Sequence, residues 1–424
     1  MAITQVRAQF NGQWYMLTYN EDARAYQTAI TPDTFSGGQP DGYYDVTVEA
    51  INDSGVVVTT DGDNLPGLRL VVRETIPPIL TLVSPEAGYV TTNTPAVTWT
   101  AQDNDGGSGI DPDSAIVKLD GKAVPAEQVS VTAGAGGTYT ITYTPGTALA
   151  EGPHTVQAGI SDNDGNAATM EANYIVDTVP PVLSALLSFE EVVTDAYTVT
   201  ITGQTNDATA PPVTMTVMDN GAVAGHPAVG PDGRFSILLN LEVGENNVTV
   251  VAKDGAGLTT TASYYIIRMV TDRTQADVDA LNDRGTYNAS DLNRVNTAMA
   301  YLDGWLSEAG YVTGYANQGI AWAIDDIPLQ AQMADYLSNV GAIRGTFPLA
   351  NAPAIPVSME FLTHEGANHI ERVLVLTDRI RARLKRSLII SLINDNNLSE
   401  LRLISCAKCI PCSWFTISFS ISSA

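Results

Sequence analysis

The chain has 424 residues and carries 21 Lys+Arg against 47 Asp+Glu, a formal net charge of −26. A surface of that sign repels phosphate and has few cations with which to release counterions, which argues against nucleic acid and anionic membrane as partners. Only 16% of residues are charged and 44% are hydrophobic, a composition for folded domains and not for a disordered acidic chain.

The first ten residues, ending at Phe10, lack the apolar centre of about 7–15 residues that a signal peptide needs, and they read as a β-strand. Nothing downstream approaches the ~18–20 apolar residues of a membrane span, so no membrane insertion is expected. Asn11-Gly12 then marks a hairpin. Trp14, Tyr15, Tyr43 and Tyr44 supply aromatic faces suited to stacking on sugars, although aromatics in a small sandwich also serve as core.

Three segments repeat without gaps, starting at Gly42, Gly152 and Gly244 and ending at Gly55, Gly165 and Gly257. Apolar residues alternate through each: Val46, Val48, Ala50; Val156, Ala158, Ile160; Val248, Val250, Ala252. Period two with one apolar face is the pattern of a half-buried antiparallel strand. Each repeat follows a hairpin signal, at Asn11-Gly12, Asp120-Gly121 and Asn220-Gly221. Glu74-Thr-Ile-Pro-Pro78 and Asp177-Thr-Val-Pro-Pro181 close the first two units, because paired prolines cannot continue a ladder. Short strands with turn signals every 8–12 residues or so predict immunoglobulin-like β-sandwiches at 77–179 and 180–271. A truncated version is expected at 1–76, which lacks room for the strands that 80–83 and 96–100 supply in the second unit.

Within the second unit, Trp99 is expected in the core. Asp103, Asp105, Asp111 and Asp113 crowd into eleven residues and form a calcium candidate, with Asp162 and Asp164 as further oxygen ligands. The loop is not an EF-hand, since Ser114 stands where a bidentate Glu is needed. The competing reading is a set of turns capped by Asp. No other cofactor is expected. The four histidines, His154, His226, His364 and His369, are scattered, and no catalytic or cofactor-binding residue emerges, so an enzyme is not expected. His154, at a strand start, is expected to make a structural hydrogen bond.

After 271 the periodicity becomes helical. Thr274-Gln-Ala-Asp277 and Asn288-Ala-Ser-Asp291 are capping boxes. The second opens a helix with Leu292, Val295, Met299, Leu302 and Leu306 in a narrow stripe, ended by Gly310. Such a stripe suits a helix of the same domain or one of another chain, which would make 288–306 a homo-oligomer contact. Further helices are predicted around 330–340 and from Thr363 onward, with Ile370, Val373, Leu376 and Ile380 on one face. The fold class expected is therefore mainly β, tandem immunoglobulin-like sandwiches followed by a small α-helical region at 272–378.

The helical segments carry a resemblance. Asp272-Arg-Thr-Gln-Ala-Asp-Val278, Tyr287-Asn-Ala-Ser-Asp-Leu-Asn-Arg-Val295, Asp325-Asp-Ile-Pro328, Met333-Ala-Asp-Tyr-Leu-Ser-Asn-Val340, Arg344 and Gly366-Ala-Asn-His-Ile-Glu-Arg372 follow the immunoglobulin-like units. This order resembles tail or baseplate-associated proteins of prophages from Gram-positive bacteria, over most of the chain up to about residue 378. The resemblance implies a non-enzymatic virion component, assembled in the host cytoplasm, whose modules project from the tail. Its implied partners are other tail or baseplate proteins and a host cell-wall polysaccharide or surface protein. A bacterial surface or secreted adhesin built from the same modules is the alternative, though it needs an export signal.

Residues 379–424 depart from that pattern. Arg379, Arg381, Arg383, Lys385 and Arg386 crowd together, and Cys406, Cys409 and Cys412 are the only cysteines. From residue 370 on there are 8 Lys+Arg against 4 Asp+Glu, whereas the earlier residues hold 13 against 43. A frameshifted or recombined end and a genuine basic amphipathic helix both account for the break. The cysteine spacing resembles part of an iron–sulfur run without its fourth ligand, and incidental thiols are the simpler reading.

Overall fold

The computed structural model describes residues 2–31, 35–349 and 351–394. Cys406, Cys409 and Cys412 lie outside the described residues, as does the side chain of Arg386. The chain is mainly β, with multiple sheets and a small helical region behind them.

In the first unit Ile3–Phe10 is central to a five-stranded antiparallel sheet, between Gln13–Asn20 and Thr47–Asn52, with Ala25–Gln27 and Val57–Thr60 outermost. Asn11 and Gly12 both have positive φ, 44° and 79°, the turn that matches the right-handed twist of its strands. The pairs at Asp120-Gly121 and Asn220-Gly221 repeat those angles within a few degrees. Val6, Ala8 and Phe10 are buried, and the Tyr44 ring centroid is 4.7 Å from that of Phe10. A ribbon of Tyr44–Asp45 and Arg69–Leu70 stands where the later units have a second sheet.

The second unit packs the sheet Val129–Ala133, Tyr139–Tyr143, Val97–Gln102, Ile79–Ser84 on a five-stranded one built around Gly152–Asp162. The repeat residues Val156, Ala158 and Ile160 face inward and bury against Trp99, Ile141 and Tyr143. The third unit repeats the plan: Val182–Leu187, Thr198–Asn206 and Arg234–Asn240 cover a five-stranded sheet containing Gly244–Lys253 and Thr259–Arg268. Val248, Val250 and Ala252 fill its core with Ile201 and Ile266. In both sandwiches a short strand near the start of the unit, Gly88–Val90 or Val193–Thr194, lies parallel to the unit's last strand.

Four helices follow: α1 Gln275–Asp279, α2 Ala289–Glu308, α3 Gln330–Gly345 and α4 His364–Asn394. Both capping boxes form. The hydrogen bonds from Thr274 hold the Asp277 carboxyl down at about 2. The α2 stripe is buried within its own chain, against Val340 and Ile343 of α3, Ile370, Val373 and Leu374 of α4, and Val193, Ile267 and Met269 of the third unit. The apolar stripe that suggested a homo-oligomer contact through 288–306 is thus covered within the chain. One core spans the third sandwich and the helices across residue 272.

Buried charges reinforce that shared core. Arg273 and Arg294 face Asp291 and Glu371, with all four side chains at most 5% exposed. Glu371 Oε1 accepts from Arg273 at 2.7 Å and Arg294 at 2.6 Å, and Oε2 accepts from the Val270 amide at 2.6 Å. Burial works against the Arg294 charge, but Glu371 and Asp291 outweigh it and raise its pKa. The expected boundary at 379 falls inside α4. Arg379 pairs with Asp195 at 2.7 Å, Arg372 joins the same carboxylate, and Arg381 pairs with Asp378, which also accepts from the Val192 and Val193 amides. Part of the basic run thus fastens α4 to the third sandwich.

Candidate functional site

Asp103, Asp105, Asp111 and Asp113 do not converge as a set. Asp105 is exposed beside Gly106, which turns the loop with φ 75°. Asp111 and Asp113 sit in an irregular stretch of Ile110–Leu119, where pairing with Gly152–Asp162 shifts register between Asp111 and Ile116. There Asp111 Oδ1 accepts from the Asp113 amide at 3.1 Å and the Ser114 hydroxyl bonds back to the Asp111 carbonyl. These are turn contacts within the bulge.

Asp103 instead meets Glu74 and Asp162, with one carboxylate oxygen from each inside a 4.8 Å span. Strand ends position all three. Asp103 follows Val97–Gln102, Asp162 ends Gly152–Asp162, and Glu74 precedes the paired prolines that bring the chain from the first unit. Donors close this group. Asp103 accepts from the Asn104 and Gly109 amides, Glu74 Oε1 from the Ser108 amide at 2.6 Å, and Asp162 from the backbone and side chain of Asn166 at 2.8 and 2.7 Å. Asp164 belongs to the same junction, accepting from the Glu74 amide at 3.0 Å. Hydrogen bonds in this arrangement tie the linker to two loops of the second unit.

A second group, Asp177, Asp207 and Asp254, stands at the corresponding place between the second and third units. Reading the Asp103 loop alone missed it. Its signal lay in the repeats, where Asp177 takes the place of Glu74 before Pro-Pro, and Asp254 stands ten residues after Gly244 as Asp162 does after Gly152.

Of the aromatic candidates, Tyr44 is core. Trp14 and Tyr43 are half-buried under guanidinium groups, Arg7 at 4.2 Å and Arg69 at 4.8 Å from the ring centroids, and Tyr15 is half-buried on Gln13–Asn20. No shared aromatic platform forms from the four.

His154 makes two contacts, Nδ1 to Asp120 Oδ2 at 2.9 Å and Nε2 to the Ala150 carbonyl at 2.9 Å. Both partners accept, which suits the imidazolium. Burial lowers the His154 pKa, but the Ala150 and Asp120 contacts outweigh it and raise the group above 6.5. Burial likewise raises Asp120, and the Thr155 amide and His154 outweigh it to leave the carboxyl below 3.8. A raised histidine stabilises below its unfolded pKa and loses that contribution as pH climbs through the folded value; a lowered carboxylate does so above its unfolded pKa. The pair therefore stabilises the second unit most between pH 3.8 and 6.5. Melting of the full chain followed from pH 6 to about pH 8 is expected to show falling stability of this unit, and His154→Gln to flatten that slope.

The second and third units are tandem immunoglobulin-like β-sandwiches. The family model for glucodextranase, domain B, matches residues 181–269, the third unit. Among solved structures the chain is similar to fibronectin(III)-like modules of Clostridium thermocellum CbhA, at 17% identity over 45% of this chain and 94% of that one, TM-score 0.31. It is also similar to a three-immunoglobulin fragment of titin, at 13% identity over 62% and 88% of the two chains, TM-score 0.34. No curated protein sequence matches the chain. No helix among the described residues is long and apolar enough to cross a membrane.

Proposed function

We propose that the protein is a non-enzymatic structural component of a phage tail or baseplate. Its immunoglobulin-like modules project from the particle and make weak contacts with a polysaccharide or protein of the host surface. The observation that carries this reading is the fusion of the third sandwich to the helices through one core and a buried charge network. A stalk of modules held stiffly on a helical base suits a projecting appendage. The helical base is the part that would pack against other tail or baseplate proteins. Many copies on one particle raise the effective concentration of each weak contact, so single-module affinity need not be high. The resemblance of the helical segments to prophage tail-associated proteins supports the same reading, and the acidic body disfavours nucleic acid as a partner.

Mass spectrometry of purified particles induced from the host tests the assignment. The chain is expected among the particle proteins, at a fixed copy number relative to the tail. Its absence there, with recovery from the cell surface or medium, would sink the tail reading in favour of an adhesin. The intact mass also reports whether residues 395–424 are present as written.

A further inference from the structure

The second interdomain junction differs from the first in its donors. Asp177, Asp207 and Asp254 bring one carboxylate oxygen each within 4.8 Å of the others, with exposures of 0%, 9% and 5%. One oxygen of each is spoken for: Asp177 Oδ1 accepts from the Val179 amide at 3.4 Å, Asp207 Oδ1 from the Thr209 and Ala210 amides, and Asp254 Oδ1 from the Leu258 amide at 2.9 Å. Oδ2 of Asp177 and Oδ2 of Asp254 are buried with no hydrogen-bond partner. None of the three carboxylates forms a salt bridge among the described residues.

The sequence explains the contrast. Asn166, four residues after Asp162, supplies both a backbone and a side-chain donor to the first group, while Leu258, four residues after Asp254, supplies only its amide. The loop after Asp103 gives the Ser108 amide to Glu74, whereas Asp207 is followed by Ala-Thr-Ala-Pro-Pro, whose amides bond to Asp207 itself. Three converging buried carboxylates with free oxygens are costly unless a counter-charge meets them.

The geometry points to a divalent cation site at this junction, held by Asp177, Asp207 and Asp254 and suited to calcium. All the side-chain donors are carboxylate oxygens, the preference of a hard cation, and no thiol or imidazole stands in the group. Calcium accepts about 6–8 oxygens in irregular geometry with water among them, whereas magnesium demands a near-ideal octahedron. Asp177 ends the second sandwich, and Asp207 and Asp254 belong to loops of the third, so the ion would bridge the two modules. This site lies apart from Asp105, Asp111 and Asp113 and does not rest on the proposed tail role.

Equilibrium dialysis of the full chain at calcium concentrations up to about 1 mM, the range of extracellular modules, is the direct test. One saturable site is expected, lost in Asp177→Asn/Asp254→Asn and kept in Glu74→Gln. Magnesium at equal concentration is expected to fill less than a tenth of it. Absence of saturable binding overturns the proposal and leaves a proton as the neutralising charge. Unchanged binding in the double variant, or equal filling by magnesium, overturns it as well. Should the double variant not fold, hydrogen exchange of the natural chain decides: calcium must slow exchange at the Val179, Thr209, Ala210 and Leu258 amides, and no slowing there overturns the site.

Discussion

Replacing Glu371 with Ala is expected to destabilise the helical region by about 3–5 kcal/mol, because it leaves a buried ion network with two cations and one anion. Glu371 is fully buried and bonds both Arg273 and Arg294, and its second oxygen caps the Val270 amide at the end of the third sandwich. Loss of the side chain strips a partner from all three donors. Glu371→Gln keeps an acceptor for the amide but still removes the negative charge, so its effect should fall between the natural chain and Ala. Urea unfolding followed at 222 nm reads the helices. Their transition should move to lower urea in Glu371→Ala, while the β-unit signal of residues 2–179 stays in place. A helical transition that does not move would show the network to be energetically silent.

Trp99→Ala is expected to cost the second sandwich about 3–5 kcal/mol, through lost burial and the cavity left behind. Trp99 is fully buried and sits opposite Leu82 on one neighbouring strand and Ile141 on the other, so a hole here opens the centre of the sheet. Its indole N–H has no hydrogen-bond partner. Trp99→Phe therefore removes an unsatisfied donor along with some volume, and the two effects oppose each other. A much smaller loss for Phe than for Ala is the expected pattern in hydrogen exchange of residues 79–176. Equal losses would mean that the indole N–H is satisfied after all.

Much of this architecture was legible because the decisive chemistry is local. Asn11-Gly12, Asp120-Gly121 and Asn220-Gly221 announce their turns through the conformational freedom of two adjacent residues, and alternating Val156, Ala158 and Ile160 announce a strand with one wet face. Thr274 with Asp277 and Asn288 with Asp291 fix helix starts within four residues of chain. The carboxylate groups were hidden for the opposite reason. Glu74 and Asp162 are 88 positions apart, and their meeting depends on how a Pro-Pro linker leads one module onto the next. Proximity in sequence misled at Asp111 and Asp113, which a bulge turns onto itself. Arg379 and Arg381 looked like part of a foreign tail because the acidic group that receives Arg379, Asp195, lies 184 residues upstream.

The parallel pairing of Gly88–Val90 with Ala167–Val176, and of Val193–Thr194 with Thr259–Arg268, sets how the modules bear mechanical load. Tension along the chain enters each sandwich through its first strand, Ile79–Ser84 or Val182–Leu187, reaches the short strand next, and leaves through the last one. Two parallel strands drawn from opposite ends slide past each other, so their cross-bonds are strained together in shear. A hairpin pulled from its open end yields its bonds one at a time, as a zipper does. In the third unit the short strand is also pinned by Asp378 of α4 through the Val192 and Val193 amides, which adds a fastening that must release before the sandwich opens. The third sandwich is thereby fastened to α4 along the edge where its short strand lies.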